Sequence, residues 1–439
     1  KMVIDMLRFG TDGVRGRVGV DLDESHVTRL GSAVATAFPG VGIIVGHDGR
    51  ESGEAWAAAF GAGASAQRAH VALAGVVPTP AVAHAAKRRH CVGVSITASH
   101  NPWHDNGVKV FAPGGRKLTD AEQQNIEQLW HASGEIPRAN SALPRDARCA
   151  GEYAESLTTV PGAGDLRGCD VVFDAANGAT SRVVAAVAEA LGLRADIRNA
   201  SPNGRNINDG CGAVHPESIT KLCAEGRRIG IAFDGDGDRV IAVDELGYVV
   251  DGDRLIALMA LDLRSRGVLH RDTVVVTSMT NLGFHRAMQR HGVKVVTTDV
   301  GDRAVLVAME EGGFVLGGEQ SGHIINLRHA TTGDGILAAV LLLDIVRRSG
   351  KSLAELAAAV MQRMPQLLRN VRVANKPADV EALLGTELVH ERELLGADGR
   401  IVVRTSGTEP VVRIMVEAAS TEIAEATADR LEQLLVARA

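Results

Sequence analysis

Short apolar runs rich in β-branched residues recur along the 439-residue chain, and several of them end in a polar loop that contains glycine. Examples are GVGIIV before GHDGRESG, RIGIAF before DGDGDR, and IVV before RTSGTEP. Alanine- and leucine-rich stretches with helical spacing lie between these runs. Alternating strands and helices predict α/β layers with parallel or mixed sheets, in which ligands bind at the carboxyl ends of strands. We therefore expect the chemistry of the protein to lie in the polar loops.

The length of the chain and the breaks in its pattern predict four domains. A stretch that contains proline and serine, over 132–148, precedes a new series of helices and strands, and further breaks fall at Asp251-Gly252-Asp253 and Met364-Pro365. The predicted domains cover residues 1–152, 153–253, 254–365 and 366–439.

Composition excludes several classes of partner. Lys plus Arg is 47 and Asp plus Glu is 53, so the net charge of −6 offers no electrostatic attraction to duplex nucleic acid or an anionic membrane. The longest apolar stretch, near 336–346, contains Asp344 and is too short to span a bilayer. Five cysteines without a CxxC pair, and a start without a secretory apolar region, predict a cytoplasmic protein with neither nucleic-acid nor membrane partners.

Three aspartates alternate with glycine in the loop DGDGDR, at positions Asp234, Asp236 and Asp238. Like charges this close repel one another unless a cation neutralises them, and oxygen ligands beside phosphates suit Mg²⁺. An EF-hand is excluded because Arg239 occupies the position that requires glycine and because the flanking runs are strands rather than helices. The remaining alternative is a solvated acidic turn, and the strict alternation favours the metal site.

Ser99 and His100 follow another apolar run, in TASHNP, and Lys109 comes ten residues after Ser99. A serine on a tight polar turn beside histidine and lysine can be a nucleophile or a phosphate carrier. It can equally be an ordinary capped turn, because side chains that are adjacent in sequence need not face one another. Local features alone leave both interpretations open.

The loop RTSGTEP near the C-terminus combines hydroxyl groups, a glycine turn and arginines. Guanidinium groups match phosphate oxygens in a bidentate way, so the loop fits a phosphate site, although a hairpin turn with solvated arginines is an equal alternative. The candidate residues are Arg404, Ser406, Gly407, Thr408 and Arg413.

Two further loops are ambiguous when each is considered alone. GEQSGH offers Glu319 and Ser321, whose short polar side chains could bind sugar hydroxyls, but it also reads as a β-turn. GTDGVRG places Arg15 in a glycine-rich turn near the start, where a solvated loop is the simpler interpretation.

Taken together and in this order, FGTDGVRG, ASHNP, DGDGDR, GEQSGH and RTSGTEP resemble the motifs of the α-D-phosphohexomutase superfamily. The resemblance extends from Phe9 to about Glu417, nearly the whole chain. It implies three α/β domains with mixed sheets and a smaller C-terminal α+β domain, arranged around a central cleft. It also implies an intramolecular phosphotransferase.

The resemblance implies a role for each matching residue. Ser99 would be carried as phosphoserine, and its phosphate would complete the metal shell of the three aspartates. His100 and Lys109 would lie beside the transferred phosphoryl group, with Lys109 the candidate for proton transfer, and two arginines would neutralise its charge. The arginines are Arg15 and Arg239; the residues holding sugar hydroxyls would be Glu319 and Ser321; those holding the non-reacting phosphate would be Arg404, Ser406, Gly407, Thr408 and Arg413.

The implied substrate is a hexosamine phosphate. The resemblance implies interconversion of glucosamine 6-phosphate and glucosamine 1-phosphate with Mg²⁺, for the synthesis of UDP-N-acetylglucosamine and the cell wall. Glucosamine 1,6-bisphosphate or glucose 1,6-bisphosphate would prime the serine, and a homodimer is compatible with the family. The alternatives are a phosphomannomutase/phosphoglucomutase, a Mg²⁺-dependent phosphatase, and a non-catalytic sugar-phosphate-binding protein, against which the presence of Ser99 and all three aspartates argues.

Overall fold

The computed structural model of the protein describes residues 8–10, 13–134, 136, 142–160, 166–375, 377–405 and 411–438. Within these residues the strands form four sheets that follow one another along the chain. No helix among the described residues is long and apolar enough to cross a membrane.

The first sheet has six strands: β1 (Val14–Arg17), β2 (Ile43–His47), β3 (Val71–Val76), β4 (Val92–Ile96), β5 (Asp105–Ala112) and β6 (Arg116–Lys117). Their spatial order is β1-β5-β4-β2-β3, with β6 paired to β5. β2 is parallel to β3 and β4, whereas β5 is antiparallel to β4 and β1. The accompanying helices are α1 (Glu24–Ala37), α2 (Gly53–Ala66), α3 (Thr79–Arg89) and α4 (Asp120–Ala132). β2 and β4 are buried along their whole length, as their nearly continuous apolar runs predict.

The second sheet has five strands: β7 (Asp170–Asp174), β8 (Arg194–Arg198), β9 (Ile229–Phe233), β10 (Val240–Val243) and β11 (Val249–Val250). Their order is β11-β10-β9-β7-β8, and β7 is parallel to both β8 and β9 while β9, β10 and β11 form antiparallel pairs. The helices are α5 (Cys149–Thr158), α6 (Val184–Ala190) and α7 (Glu217–Gly226). The aspartate loop is therefore the connection between β9 and β10.

The third sheet has four strands: β12 (Thr273–Thr277), β13 (Lys294–Thr298), β14 (Leu316–Gly318) and β15 (Ile324–Asn326). Their order is β13-β12-β14-β15, with β14 and β15 antiparallel and the other pairs parallel. The helices are α8 (Gly252–Ser265), α9 (Leu282–Arg290), α10 (Asp302–Gly312), α11 (Gly335–Ser349) and α12 (Leu353–Val360). Aspartate side chains cap the first turns of α8 and α11, as expected at helix N-termini.

The fourth sheet is antiparallel and has three strands: β16 (Gln366–Arg372), β17 (Arg400–Thr405) and β18 (Val411–Glu417). β18 lies in the middle, and two helices pack on the sheet, namely α13 (Val380–Leu395) and α14 (Thr421–Arg438). Short 3₁₀ turns elsewhere in the chain cover Ala179–Arg182, His270–Asp272 and Gly396–Asp398.

The apolar core is divided in a way that separates the last sheet from the others. One large cluster of buried side chains runs through the first three units, whereas the fourth unit has a cluster of its own. The predicted class, three α/β units with mixed sheets and a smaller α+β unit, is confirmed. The domain limits stay predictions, and α5 and α8 run across two of them.

Candidate active site

The three aspartates of the loop between β9 and β10 converge on one point. One oxygen from each of Asp234, Asp236 and Asp238 lies within 4.8 Å of the others, and all three side chains are buried. The glycines between them are required by space and conformation. A Cβ on Gly235 would lie 2.7 Å from the carbonyl oxygen of Ser99, and Gly237 has φ of +74°.

Ser99 lies against this cluster, although 135 residues separate it from Asp234. Its hydroxyl donates to Asp234 Oδ2 at 2.6 Å, and its backbone has φ of +53°, an uncommon conformation for serine. The amide of Ser99 donates to Thr97 Oγ1 at 2.8 Å. A strained, tightly held turn therefore directs one hydroxyl at the carboxylates.

A buried arginine holds the serine loop, and no role was predicted for it. The Arg50 guanidinium donates to the carbonyl oxygens of Ser99 and Asn101, both at 2.8 Å, and also to those of Pro102 and Asp105. Asp48 accepts from Arg50 Nε at 2.9 Å and so fixes the fork in place. The one sequence feature that could have indicated a role for Arg50 is the tripeptide Asp-Gly-Arg directly after a buried strand.

Lys109 supplies the cation that partly balances the aspartates. Its Nζ lies 2.8 Å from Asp236 Oδ2 and 2.6 Å from Asp238 Oδ2. Burial alone would raise the pKa of Asp238, but the Lys109 ammonium holds that pKa well below its usual range. Burial, followed by the charges of Asp236 and Asp238, raises the pKa of Asp234 well above its usual range. Arg239 Nε also lies 3.9 Å from Asp238 Oδ1, so two cationic side chains face three carboxyl groups and leave their charge only partly balanced.

The unbalanced charge fits a divalent cation. Asp236 Oδ1 and Asp238 Oδ1 are buried and accept no hydrogen bond from any residue that the structure describes. Buried carboxylate oxygens without donors are costly, and a hard cation with oxygen ligands removes that cost. The donor set is therefore suited to Mg²⁺ or a similar ion.

Cationic groups surround His100 next to the serine. Burial, followed by the charges of Arg239 and Arg15, lowers the pKa of His100 to about 4, so the imidazole is neutral near pH 7. The backbone amide of Arg239 also donates to Asp234 Oδ1 at 3.1 Å. The structure thus brings both predicted arginines near the serine loop, where they can neutralise an anion.

The loop between β14 and β15 reaches the same centre. Val240, just after the aspartates, donates its amide to the carbonyl of Gly322 at 3.0 Å, and His323 Nδ1 lies 3.6 Å from Asp238 Oδ1. Glu319 Oε1 accepts from the amide of Gly301 at 3.1 Å, and Ser321 is exposed to solvent. The two predicted sugar contacts therefore lie on a loop that is anchored beside the aspartates.

The C-terminal candidates are described only in part, because Ser406, Gly407 and Thr408 lie outside the described residues. Arg404 and Arg413 are directly opposite one another on β17 and β18, and both side chains are half-buried. Burial, followed by the charge of Arg413, lowers the pKa of Arg404. Two facing guanidinium groups repel one another and favour an anion between or beside them.

A buried polar network that was not predicted joins the fourth unit to the sugar loop. Glu417 accepts hydrogen bonds from the amide of Leu282 at 3.0 Å, from Gln366 Nε2 at 3.2 Å and from Arg400 Nε at 2.9 Å. Gln320, in the middle of GEQSGH, donates to Gln366 Oε1 at 3.1 Å. Hydrogen bonds therefore connect the fourth unit directly to the loop that carries Glu319 and Ser321.

Four family models match successive segments of the chain in order. They are the phosphoglucomutase/phosphomannomutase alpha/beta/alpha domain I over residues 6–136, domain II over 152–247, domain III over 251–364 and the C-terminal domain over 368–434.

Curated relatives match at nearly full length. The phosphoglucosamine mutase of Kineococcus radiotolerans is 45% identical, over 97% of this chain and 98% of its own. That of Saccharopolyspora erythraea is 45% identical, over 98% and 99%.

Solved structures agree with this fold. A putative phosphomannomutase from Thermus thermophilus has a TM-score of 0.81 at 25% identity, covering 98% of this chain and 99% of that one. Aspergillus fumigatus N-acetylphosphoglucosamine mutase, solved in complex with GlcNAc-6P and magnesium, has a TM-score of 0.69 at 19% identity, covering 99% and 96%, and shows the fold alone.

Proposed function

Since the chain belongs to the phosphoglucosamine mutase family within the phosphohexomutase superfamily, we propose that it interconverts glucosamine 6-phosphate and glucosamine 1-phosphate. One observation carries the proposal at the level of chemistry. The Ser99 hydroxyl lies 2.6 Å from Asp234 Oδ2 inside a buried carboxylate cluster. The backbone of Ser99 is strained, and strain of this kind is concentrated at functional sites, so it supports a catalytic role for this serine.

In this proposal Ser99 carries a phosphoryl group between the two ends of the sugar. The P–O bond to Ser99 Oγ breaks as a bond forms to the 1-hydroxyl of glucosamine 6-phosphate. The hydroxyl proton ends on Ser99 Oγ, with the Lys109 ammonium the candidate to relay it by giving one proton to Ser99 Oγ and taking the other from the sugar. The resulting 1,6-bisphosphate turns over, and its 6-phosphoryl group returns to Ser99. Glucosamine 1-phosphate is released, and the serine is phosphorylated again.

Charge neutralisation, rather than covalent chemistry, is the main task of the residues around Ser99. Mg²⁺ would be held by Asp234, Asp236, Asp238 and the phosphate on Ser99, and when bound it would withdraw charge from the transferred group. Arg15 and Arg239 would face the phosphoryl oxygens from the opposite side. Glucosamine 1,6-bisphosphate or glucose 1,6-bisphosphate would supply the first phosphoryl group.

A second, fixed phosphate site lets one serine serve both ends of the sugar. We assign it to Arg404 and Arg413, together with the loop residues Ser406, Gly407 and Thr408. The separate apolar core of the fourth unit supports movement of that unit as a body, on a hinge near Met364-Pro365, which would close it around the sugar. Glu319 and Ser321 would then hold the sugar hydroxyls.

Arg404→Ala is expected to raise KM for glucosamine phosphate by about 10- to 100-fold, because a charge-assisted hydrogen bond contributes about 1.5–3 kcal/mol. Steady-state kinetics with purified full-length enzyme measure the change. Arg392→Ala is the matched control, since Arg392 pairs with Glu381 on α13 within the same unit. An unchanged KM in the Arg404 variant would place the two arginines outside the substrate site.

Substrate preference tests the function itself. We expect kcat/KM to be roughly 2- to 13-fold higher for glucosamine phosphate than for glucose or mannose phosphate, since one hydrogen bond is worth about 0.5–1.5 kcal/mol. Among the described side chains, none is an evident partner for the 2-amino group of glucosamine. Side activity on glucose phosphate is therefore expected. The three sugars are compared in one assay, each primed with its 1,6-bisphosphate. A preference for mannose or glucose phosphate would instead assign the chain to the phosphomannomutase/phosphoglucomutase branch.

We further propose that the enzyme works in the cytoplasm and supplies UDP-N-acetylglucosamine for the cell wall. No disulfide joins any of the five cysteines, all of which lie in the part of the chain that the structure describes, and this is usual where glutathione and thioredoxin keep thiols reduced. A homodimer is the assembly we would test first, by light scattering on the purified chain.

A further inference from the structure

A cavity of about 400 Å³, whose lining does not include the three aspartates, lies at the junction of the first three units. Its walls come from α3, from α5, and from the segment that joins β15 to α11. None of its lining residues belongs to the phosphoserine, metal, sugar or phosphate loops described above. Its volume falls within the ~300–1,000 Å³ usual for small-molecule sites.

The cavity is lined by cations. Lys87, Arg88 and Arg328 border it, all with exposed side chains. Burial, followed by the charge of Arg88, lowers the pKa of His84; burial, followed by Arg328, lowers that of His329. Burial is the main cause of both shifts, and the neighbouring cations add to it. Glu152, whose carboxylate lies 3.9 Å from Arg88 Nε, offsets part of the positive charge.

The one acidic side chain among the described lining residues is Asp334, and it is already engaged. It is buried and accepts hydrogen bonds from the Tyr153 hydroxyl at 2.7 Å and from the amide of Leu337 at 2.9 Å. Burial raises the pKa of Asp334 to about 6, so its carboxyl is still mostly ionised near pH 7. Three lining cations outnumber this one carboxylate, so the net charge around the cavity is positive, and an anion is the ligand it attracts.

The rest of the wall is mixed. Pro80, Leu157 and Leu337 contribute aliphatic surface, and the rings of His84 and Tyr153 lie 6.1 Å apart at its side. Hydroxyl groups also line the cavity, on Ser156, Thr159, Thr331 and Thr332. A flat ring can lie against the apolar surface, while the hydroxyl groups can pair with polar atoms of the ligand. The combination therefore suits an anionic group joined to a body that has both a flat ring and polar atoms.

We propose that this cavity binds an organic phosphate with a planar body, of the size of a nucleoside monophosphate. The phosphate would lie among Lys87, Arg88 and Arg328, and the planar group would lie against the apolar wall. The binding proposal does not depend on the mutase activity, because it concerns residues outside the active site.

Two helices connect this cavity to the metal loop. α3 begins at Thr79, whose hydroxyl donates to Asp236 Oδ2 at 2.6 Å, and its next turns border the cavity. α11 begins at Gly335, whose amide donates to the carbonyl of Gly237 at 3.0 Å. A ligand in the cavity would therefore contact both helices, α3 and α11, that hold the aspartate loop. The cavity is thus placed where a bound ligand would regulate the active site.

Calorimetric titration of the full-length enzyme with UMP and AMP tests the site, in saturating glucosamine 6-phosphate so that the active site stays filled. We expect one nucleotide per chain. Lys87→Ala and Arg328→Ala should each weaken binding tenfold or more and leave basal mutase activity unchanged. Arg347→Ala, an exposed cation on α11 that does not line the cavity, should bind like the parent.

A filling variant separates charge from shape. Ala330→Leu keeps every cation but occupies the cavity, so it should remove nucleotide binding while the thermal unfolding temperature stays close to that of the parent. The proposal is overturned by absence of nucleotide binding at millimolar concentration, by competition with glucosamine 6-phosphate, or by equal affinity in the Lys87 and Arg328 variants. Inorganic phosphate binding as tightly as UMP would also overturn it, since the planar group would then contribute nothing.

Discussion

Ser99→Ala is expected to lower mutase turnover by about 10⁴-fold or more, the scale seen when an enzyme loses its nucleophile. The hydroxyl is the atom that would bear the phosphoryl group, and no other described hydroxyl donates to Asp234. Ser99→Thr is expected to fail as well, because the φ of +53° is unfavourable for a β-branched residue. The measurement is a mutase assay primed with the 1,6-bisphosphate.

Mass spectrometry supplies the second readout for this variant. The parent incubated with the bisphosphate should gain one phosphoryl group on the peptide that contains Ser99, and Ser99→Ala should gain none. Ser201→Ala, at an exposed serine, is the matched control and should behave as the parent does. Full turnover in Ser99→Ala would eliminate the phosphoserine mechanism.

Chelation of divalent cations is expected to reduce turnover by at least about 10³-fold, and added Mg²⁺ should restore it. A phosphate on Ser99 adds about −1.5 to −2 charge beside three carboxylates. Lys109 balances only part of that charge through its contacts with Asp236 and Asp238. The substitution Asp234→Asn should weaken Mg²⁺ binding tenfold or more while it leaves the Lys109 ion pairs in place.

Proton release gives a readout of metal binding that is independent of activity. Burial, followed by the charges of Asp236 and Asp238, raises the pKa of Asp234 in the metal-free protein, so this carboxyl competes with the cation for protons and metal binding should release them. Mg²⁺ affinity should therefore fall as the pH is lowered, and calorimetry in buffers of different ionisation enthalpy should detect the released proton. Asp209→Asn, at an exposed aspartate outside the cluster, is the control. Unchanged Mg²⁺ binding in Asp234→Asn would show that the loop is a buried acidic turn with no role in binding the metal.

Local patterns in the sequence were enough to predict the α/β class and the strand before each polar loop. The aspartate triplet was visible for the same reason, since its three members lie within five residues. By contrast, Lys109 meets Asp236 and Asp238 across 127 and 129 residues, and only packing of one sheet against another decides such a contact. The resemblance placed Lys109 near the phosphoryl group but did not predict that it bridges two aspartates.

Arg50 and Glu417 show a different limit of sequence reasoning. Arg50 donates to backbone carbonyl groups. Because every residue has a carbonyl group, the order of side chains in the sequence does not show which of them an arginine will contact. Glu417 resembles any glutamate at the end of a strand, and its burial among Leu282, Gln366 and Arg400 arises only once the fourth unit docks. Both residues support the candidate site through partners that sequence spacing does not reveal.

The 135 residues between Ser99 and Asp234 have a consequence for the newly made chain. At about 5–20 residues per second on the ribosome, the aspartate is synthesised roughly 7–27 s after the serine. During that interval the first unit has a serine loop but no carboxylates, so a nascent or prematurely terminated chain has no centre at which to transfer phosphate. The serine and the carboxylates would therefore meet only once the second unit has been made and folds against the first.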